Sequence, residues 1–143
     1  ETFLEGGDSL FESKWKFLQG EKIEGIVAGG NIRCFLKLAG TPYFPDLTDK
    51  VLFLESLGGE EAVMTSLLSQ LRQLGVFQKV RGILLGTFTK MQQIQRELPI
   101  EELVKRIVDH PQMPIAKTEQ IGHGSDSRCL MLGEHICIRK EKV

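Results

Sequence analysis

A continuous apolar run, Val51-Leu52-Phe53-Leu54, stands directly before a carboxylate, Glu55, and is followed by an amphipathic stretch from Glu60 to Leu74. A second apolar run occupies Val80 to Leu85, interrupted only by Arg81 and Gly82. Four apolar residues in succession describe a strand covered on both faces, and such strands belong to parallel sheets with helices packed over them. Between the two runs, Val63, Leu67, Leu68, Leu71 and Leu74 line one face of a helix, with Gly75 placed as its C′ residue. Strand, helix, strand in this order is the unit of a parallel sheet, and it restricts the chain to α/β architectures.

The flanking segments extend this frame. Trp15, Phe17 and Leu18 precede a turn at Gln19-Gly20-Glu21-Lys22, and Ile23, Ile26 and Val27 follow it, so a hairpin is expected from Lys14 to Ala28. Gly29-Gly30-Asn31 breaks that strand, and Ile32 to Ala39 has the apolar spacing of a short helix, with Asn31 as N-cap and Gly40 as its close. Pro42 and Pro45 make Thr41 to Asp49 an irregular loop. A polar stretch from Lys90 to Glu97 leads to a helix over Ile100 to Val108, then a short strand at Pro114-Ile115-Ala116. The loop Gln120 to Ser127 precedes Cys129 to Leu132, a turn at Gly133-Glu134, and His135 to Ile138, which predicts a terminal hairpin. The expected domain is a mixed central sheet, largely parallel, with flanking helices and antiparallel additions at its ends.

Composition limits function. The 143 residues are 41% hydrophobic and 26% charged, enough for one globular core, and the formal net charge is -1. A chain of that charge has no basic surface to hold a phosphate backbone, so nucleic acid is not an expected partner. No apolar stretch approaches the ~20 residues that cross a bilayer, so no membrane partner is expected either. Cys34, Cys129 and Cys137 are an odd set with neither CxxC spacing nor a nearby His at ligand spacing, which argues against a zinc site or a disulfide framework. They read as small core hydrophobes in a reducing compartment, and no metal or cofactor is expected. The first residue is Glu1, and a polar lead over 1–13 with Gly6-Gly7-Asp8-Ser9 precedes the patterned domain of 14–143. These features predict a chain cut from a longer protein.

In open α/β sheets the ligand crevice lies beyond the carboxyl ends of the parallel strands. Glu55 is the first charge delivered to that edge, where it is either a functional carboxylate or a solvated strand end. His123 lies between Gly122 and Gly124 in a polar loop; flanking glycines leave an imidazole unshielded, as a general base requires, although an exposed loop His has the same signature. His110 before Pro111 is placed to face a helix C-terminus, and His135 reads as a hairpin residue. A nucleophilic serine needs a strained strand-to-helix elbow, and none of Ser56, Ser125 or Ser127 stands in one. Gly29-Gly30-Asn31 lacks the third glycine and the Lys-Ser/Thr of a phosphate loop, so a tight turn with an Asn cap is the better account.

Several segments resemble one family in order: Gly29-Gly30-Asn31-Ile32; Leu38-Ala39-Gly40-Thr41-Pro42-Tyr43-Phe44-Pro45-Asp46; Val51 to Glu55; Leu71 to Phe77; Gly82 to Phe88; and Gly122-His123. From about Trp15 onward the chain is similar to the C-terminal domain of the LD-carboxypeptidase and microcin self-immunity serine peptidases. That resemblance implies a swivelling β/β/α-type domain and a Ser-Glu-His triad in which Glu55 and His123 are catalytic. The serine and its oxyanion-hole amides would lie in an N-terminal nucleophile domain absent from this chain, its expected partner. The substrate class implied is a murein tetrapeptide losing its terminal D-alanine in the cytoplasm, or in relatives a microcin C-type peptidyl nucleotide. Asn31 is a candidate substrate contact. Ser56 stands where many relatives carry Asp, and Leu132 where a Pro before the glycine is common, departures that bear on substrate class.

A competing expectation is a non-catalytic binding or regulatory module that keeps the fold without a serine partner; the coding sequence upstream of Glu1 separates the two. By itself the chain is expected to be inactive, and its exposed catalytic edge could pair two copies into a homodimer.

Overall fold

The computed structural model describes residues 11–94 and 98–141. Most of the polar lead and the end of the Lys90–Glu97 stretch therefore lie outside the described residues. The elements are β1 (Lys16–Gln19), β2 (Lys22–Asn31), α1 (Ile32–Leu36), β3 (Val51–Ser56), α2 (Glu61–Gln73), α3 (Val76–Lys79), β4 (Gly82–Phe88), α4 (Thr89–Gln93), α5 (Ile100–Val108), β5 (Ile115–Lys117) and β6 (His135–Arg139). They form one sheet in the order β1-β5-β4-β3-β2-β6. Strands β2 to β5 are mutually parallel, and β1 and β6 add antiparallel at the two ends. The mixed α/β sheet expected from the apolar runs is thus present, and among the described residues no helix is long and apolar enough to cross a membrane.

The expected N-terminal hairpin is not. β1 pairs with β5, while the first half of β2, Lys22 to Ile26, pairs with β6 and the second half, Val27 to Asn31, with β3. Three Cα steps of 3.8 Å reach about 11 Å from Gln19 to Lys22, whereas strands four places apart in a flat sheet are about 19 Å apart. The sheet must curl, and the contacts confirm it: a Cβ on Gly82 of β4 would stand 2.9 Å from Ile23 of β2. Curling closes a second core of Ile23, Val27, Val51, Phe53, Leu84, Ala116, Ile121 and Ile138 on the concave face, with Trp15 and Phe17 packed against it. Burying those side chains outweighs the local turn, which lacks the Asn-Gly or Asp-Gly pair that sets a tight hairpin. The terminal hairpin is also replaced. Residues 129–132 form no strand, and β6 finds its partner in β2.

The larger core lies between the convex face and the helices. Helix α2 contributes Met64, Leu68 and Leu71, each fully buried, whereas Val63 and Leu74 are exposed, so its packed face is turned by about one residue from the expected one. Gly75 has the left-handed conformation (φ 72°) expected at a helix end, and it leads straight into the short α3, which has no counterpart in the sequence reading. The helix over Ile100 to Val108 has the expected bounds.

The three cysteines are exposed, contrary to the core role expected of them. Cys34 is on the outer side of the short α1, Cys129 is in the segment without strand structure, and Cys137 lies on the outer face of β6, where Ile138 is the buried residue.

Candidate active site

Strand alternation decides which side chains can meet. Val51 and Phe53 of β3 point into the concave core, and Glu55 is the next residue on that face. Leu52 and Leu54 point under the helices. The strand therefore delivers a carboxylate to the carboxyl edge of the sheet on its concave side, with the residue only 8% exposed. In register beside it, at the end of β2, stands Asn31. Two glycines make room: a Cβ at Gly29 would lie 2.1 Å from the Phe53 carbonyl oxygen, and one at Gly86 would lie 3.1 Å from the Glu55 Cβ.

The loop after β5 returns over this edge. Ile121 is buried in the concave core, and two residues on the backbone brings His123 to the carboxylate. His123 Nδ1 and Glu55 Oε2 are 2.7 Å apart, joining residues separated by 68 positions in sequence. An ionised carboxylate is acceptor-only, so Nδ1 is the donor of this bond, and in the neutral imidazole Nε2 keeps the lone pair. The His123 side chain is 40% exposed, and among the described residues its ring has no hydrogen-bond partner besides Glu55. A buried carboxylate hydrogen-bonded to a part-exposed imidazole is an arrangement able to orient a general base.

Three features hold the loop. Thr87 N–H donates to the Ile121 carbonyl (2.9 Å). Thr87 Oγ1 accepts from His123 N–H (3.3 Å). Ser127 Oγ accepts from Gly122 N–H (3.0 Å) and donates to the Gly122 carbonyl (2.8 Å). Neither Thr87 nor the bridging role of Ser127 was apparent from sequence, although a glycine inside a strand, Gly86, is a recognised mark of a bulge.

Other residues singled out in the sequence lie elsewhere or serve the backbone. Asn31 caps α1, accepting through Oδ1 from Cys34 N–H at 3.3 Å, as its position predicted. Ser56 Oγ donates to the Gly58 carbonyl at 2.7 Å and is buried. His110 accepts from Gln112 N–H through Nδ1, and His135 lies 3.7 Å from Glu24. Among the described residues no three His, Cys, Asp or Glu side chains gather as a metal site.

A Bacillus subtilis protein named as a probable murein peptide carboxypeptidase is 30% identical over 114 residues, 78% of this chain and 36% of that protein. The Escherichia coli microcin C7 self-immunity protein MccF is 27% identical over 130 residues, 90% of this chain and 38% of that protein. The solved structure of MccF in complex with glutamyl sulfamoyl guanosine superposes with a TM-score of 0.80 at 25% identity, covering 90% of this chain and 39% of that one. The chain thus spans little more than a third of the length of these relatives. The sequence model described as LD-carboxypeptidase C-terminal domain matches residues 24–138, and to that family this chain belongs.

Proposed function

We propose that this domain supplies the Glu and His of a Ser-Glu-His triad in a carboxypeptidase that hydrolyses an L,D-peptide bond and releases terminal D-alanine from a murein tetrapeptide. The observation that carries the reading is the 2.7 Å contact between buried Glu55 and outward-facing His123 at the carboxyl edge of the sheet. It is supported by the murein carboxypeptidase named among the relatives and by the span of those relatives, which leaves room for a second domain bearing the nucleophile.

In this reading His123 Nε2 takes the serine Oγ proton as the oxygen attacks the scissile carbonyl carbon. The imidazolium then gives that proton to the departing D-alanine amine as the C–N bond breaks. Water repeats the cycle on the acyl-enzyme, again with His123 as base. Glu55 holds the imidazole in the Nδ1–H tautomer and stabilises its charged form without itself taking the proton. Asn31, in register with Glu55, is proposed to direct its amide N–H groups to the substrate while Oδ1 keeps the helix cap.

The test is D-alanine release in the full-length protein. Glu55→Gln and His123→Ala are each expected to lower turnover about 10⁴-fold, with tetrapeptide binding retained. Near-normal turnover in either variant removes that residue from the triad. The likeness to MccF in complex with a sulfamoyl nucleoside supports a second reading, a peptidyl nucleotide as substrate. Faster hydrolysis of that compound than of tetrapeptide would favour it, and no hydrolysis of either would favour a binding module.

A further inference from the structure

The hydrogen bond between Glu55 and His123 persists only while the loop carrying His123 stays seated on the sheet, because the two residues belong to different elements. Ile121 is buried, but the stretch from His123 to Asp126 is exposed. What seats it is a defect in the neighbouring strand. The pairing of β3 with β4 moves from Leu54 opposite Leu85 to Ser56 opposite Phe88, two steps on one strand against three on the other. This is a β-bulge, and it changes which way the following side chains point. Phe88, not Thr87, joins Leu85 in the core under the helices.

Thr87 is thereby turned toward the His123 loop. Its N–H donates to the Ile121 carbonyl, and its Oγ1 accepts from the His123 N–H, so the hydroxyl occupies the place a strand carbonyl holds in a two-bond β-bridge. The fit is close. Gly122 lies between these two bonds at φ +144°, and a Cβ there would stand 1.9 Å from Thr87 Oγ1. Thr87 is 9% exposed, so its hydroxyl has little competing solvent.

We propose that Thr87 is a positioning residue: through Oγ1 it fixes the backbone of His123 at the register in which the imidazole meets Glu55. The effect on turnover rests on the triad reading above, whereas the effect on the Glu55–His123 hydrogen bond does not.

The test compares Thr87→Val, which keeps the shape and removes the acceptor, with Thr87→Ser, which keeps the hydroxyl. In this chain, NMR of the His123 Nδ1 proton is expected to show a protected signal in the wild type and in Thr87→Ser. Thr87→Val is expected to lose or broaden it while the dispersed amide spectrum of the folded domain remains. In the full-length protein, a displacement of the imidazole by about 1 Å lowers kcat about 10²-fold in Thr87→Val, with KM unchanged and activity restored by serine. Thr87→Ala carries the same expectation if valine prevents folding. A wild-type Nδ1 signal in the folded valine or alanine variant overturns the proposal, as does a serine variant as impaired as either. Loss of the signal in those variants, together with no turnover of either tetrapeptide or peptidyl nucleotide by the wild-type protein, would sustain Thr87 in its role and refute the triad.

Discussion

Gly86→Ala perturbs the site without replacing a proposed catalytic group. Gly86 lies in the bulged part of β4, and a Cβ there would stand 2.4 Å from the Ile121 carbonyl oxygen, 3.0 Å from Phe53 Cζ and 3.1 Å from Glu55 Cβ. Ordinary contact begins near 3.4 Å, so the first distance must grow by about 1.0 Å. The obstructing atom is main chain and cannot swing aside as a side-chain end can. The backbone at Ile121 has to lift, and His123 follows two residues later. Overpacking of this kind costs about 1–3 kcal/mol, and a domain of this size loses about 2–4 °C of Tm per kcal/mol, which predicts a fall of about 2–12 °C. A lift of about 1 Å at the imidazole corresponds to a loss of about 10²-fold in turnover if the triad reading holds. Calorimetry of the chain measures the first quantity, and NMR of the His123 Nδ1 proton reports whether the contact with Glu55 survives. An unchanged Tm with an intact Nδ1 signal would mean that the added methyl had found space without moving the loop, against this expectation.

Two further outcomes are expected. Leu68 is fully buried on α2 in the main core, so Leu68→Ala should lower unfolding free energy by about 2–5 kcal/mol in urea titrations, and a loss below 1 kcal/mol would mean that α2 does not pack as described. At Glu119, burial pushes the carboxyl pKa up, but hydrogen bonds from Lys117 and Gln92 and the Lys117 charge outweigh it and hold the value below the ordinary 4.5. A group lowered in the folded state stabilises above its unfolded pKa and loses that contribution as pH falls through the folded value. Glu119→Gln should therefore be less stable than the wild type at neutral pH, with the gap closing as the solution is acidified below pH 4.5; a gap independent of pH would contradict the assignment.

How far the site could be read in advance depended on whether its determinants were local. Glu55 was legible because a carboxylate ending an apolar strand must emerge at the sheet edge. His123 was legible only as a candidate, because glycines on both sides mark an unshielded loop that an ordinary exposed histidine also fits. Their contact was not, since nothing local specifies a pairing across 68 residues; it entered only through the ordered resemblance of whole segments. Thr87 was missed for a related reason: a bulge depends on how two strands align, and Gly86 alone fixes neither its presence nor its direction. The parallel core followed from the apolar runs, but the edge strands did not. Two apolar runs around a short turn satisfy a hairpin and a curled sheet equally well, and only the enclosed core around Ile23 and Val27 decides between them. On α2 the sequence offered Val63 and Met64 as adjacent apolar residues, and the long Met64 side chain, reaching beside Gly59, takes the buried position.

The sharing of β2 between two partners also sets an order of events during synthesis. Its second half can pair with β3 as soon as Val51 to Glu55 has left the ribosome, but its first half waits for β6. At about 5–20 residues per second, Lys22 to Ile26 spends on the order of ten seconds as an open strand edge. Such an edge is a template for another chain. It carries Lys22 and Glu24, and charges of this kind discourage pairing with a stranger during the wait. Nascent chains halted before His135 should therefore be the species that depend most on chaperones, and the ones that aggregate first when chaperones are scarce.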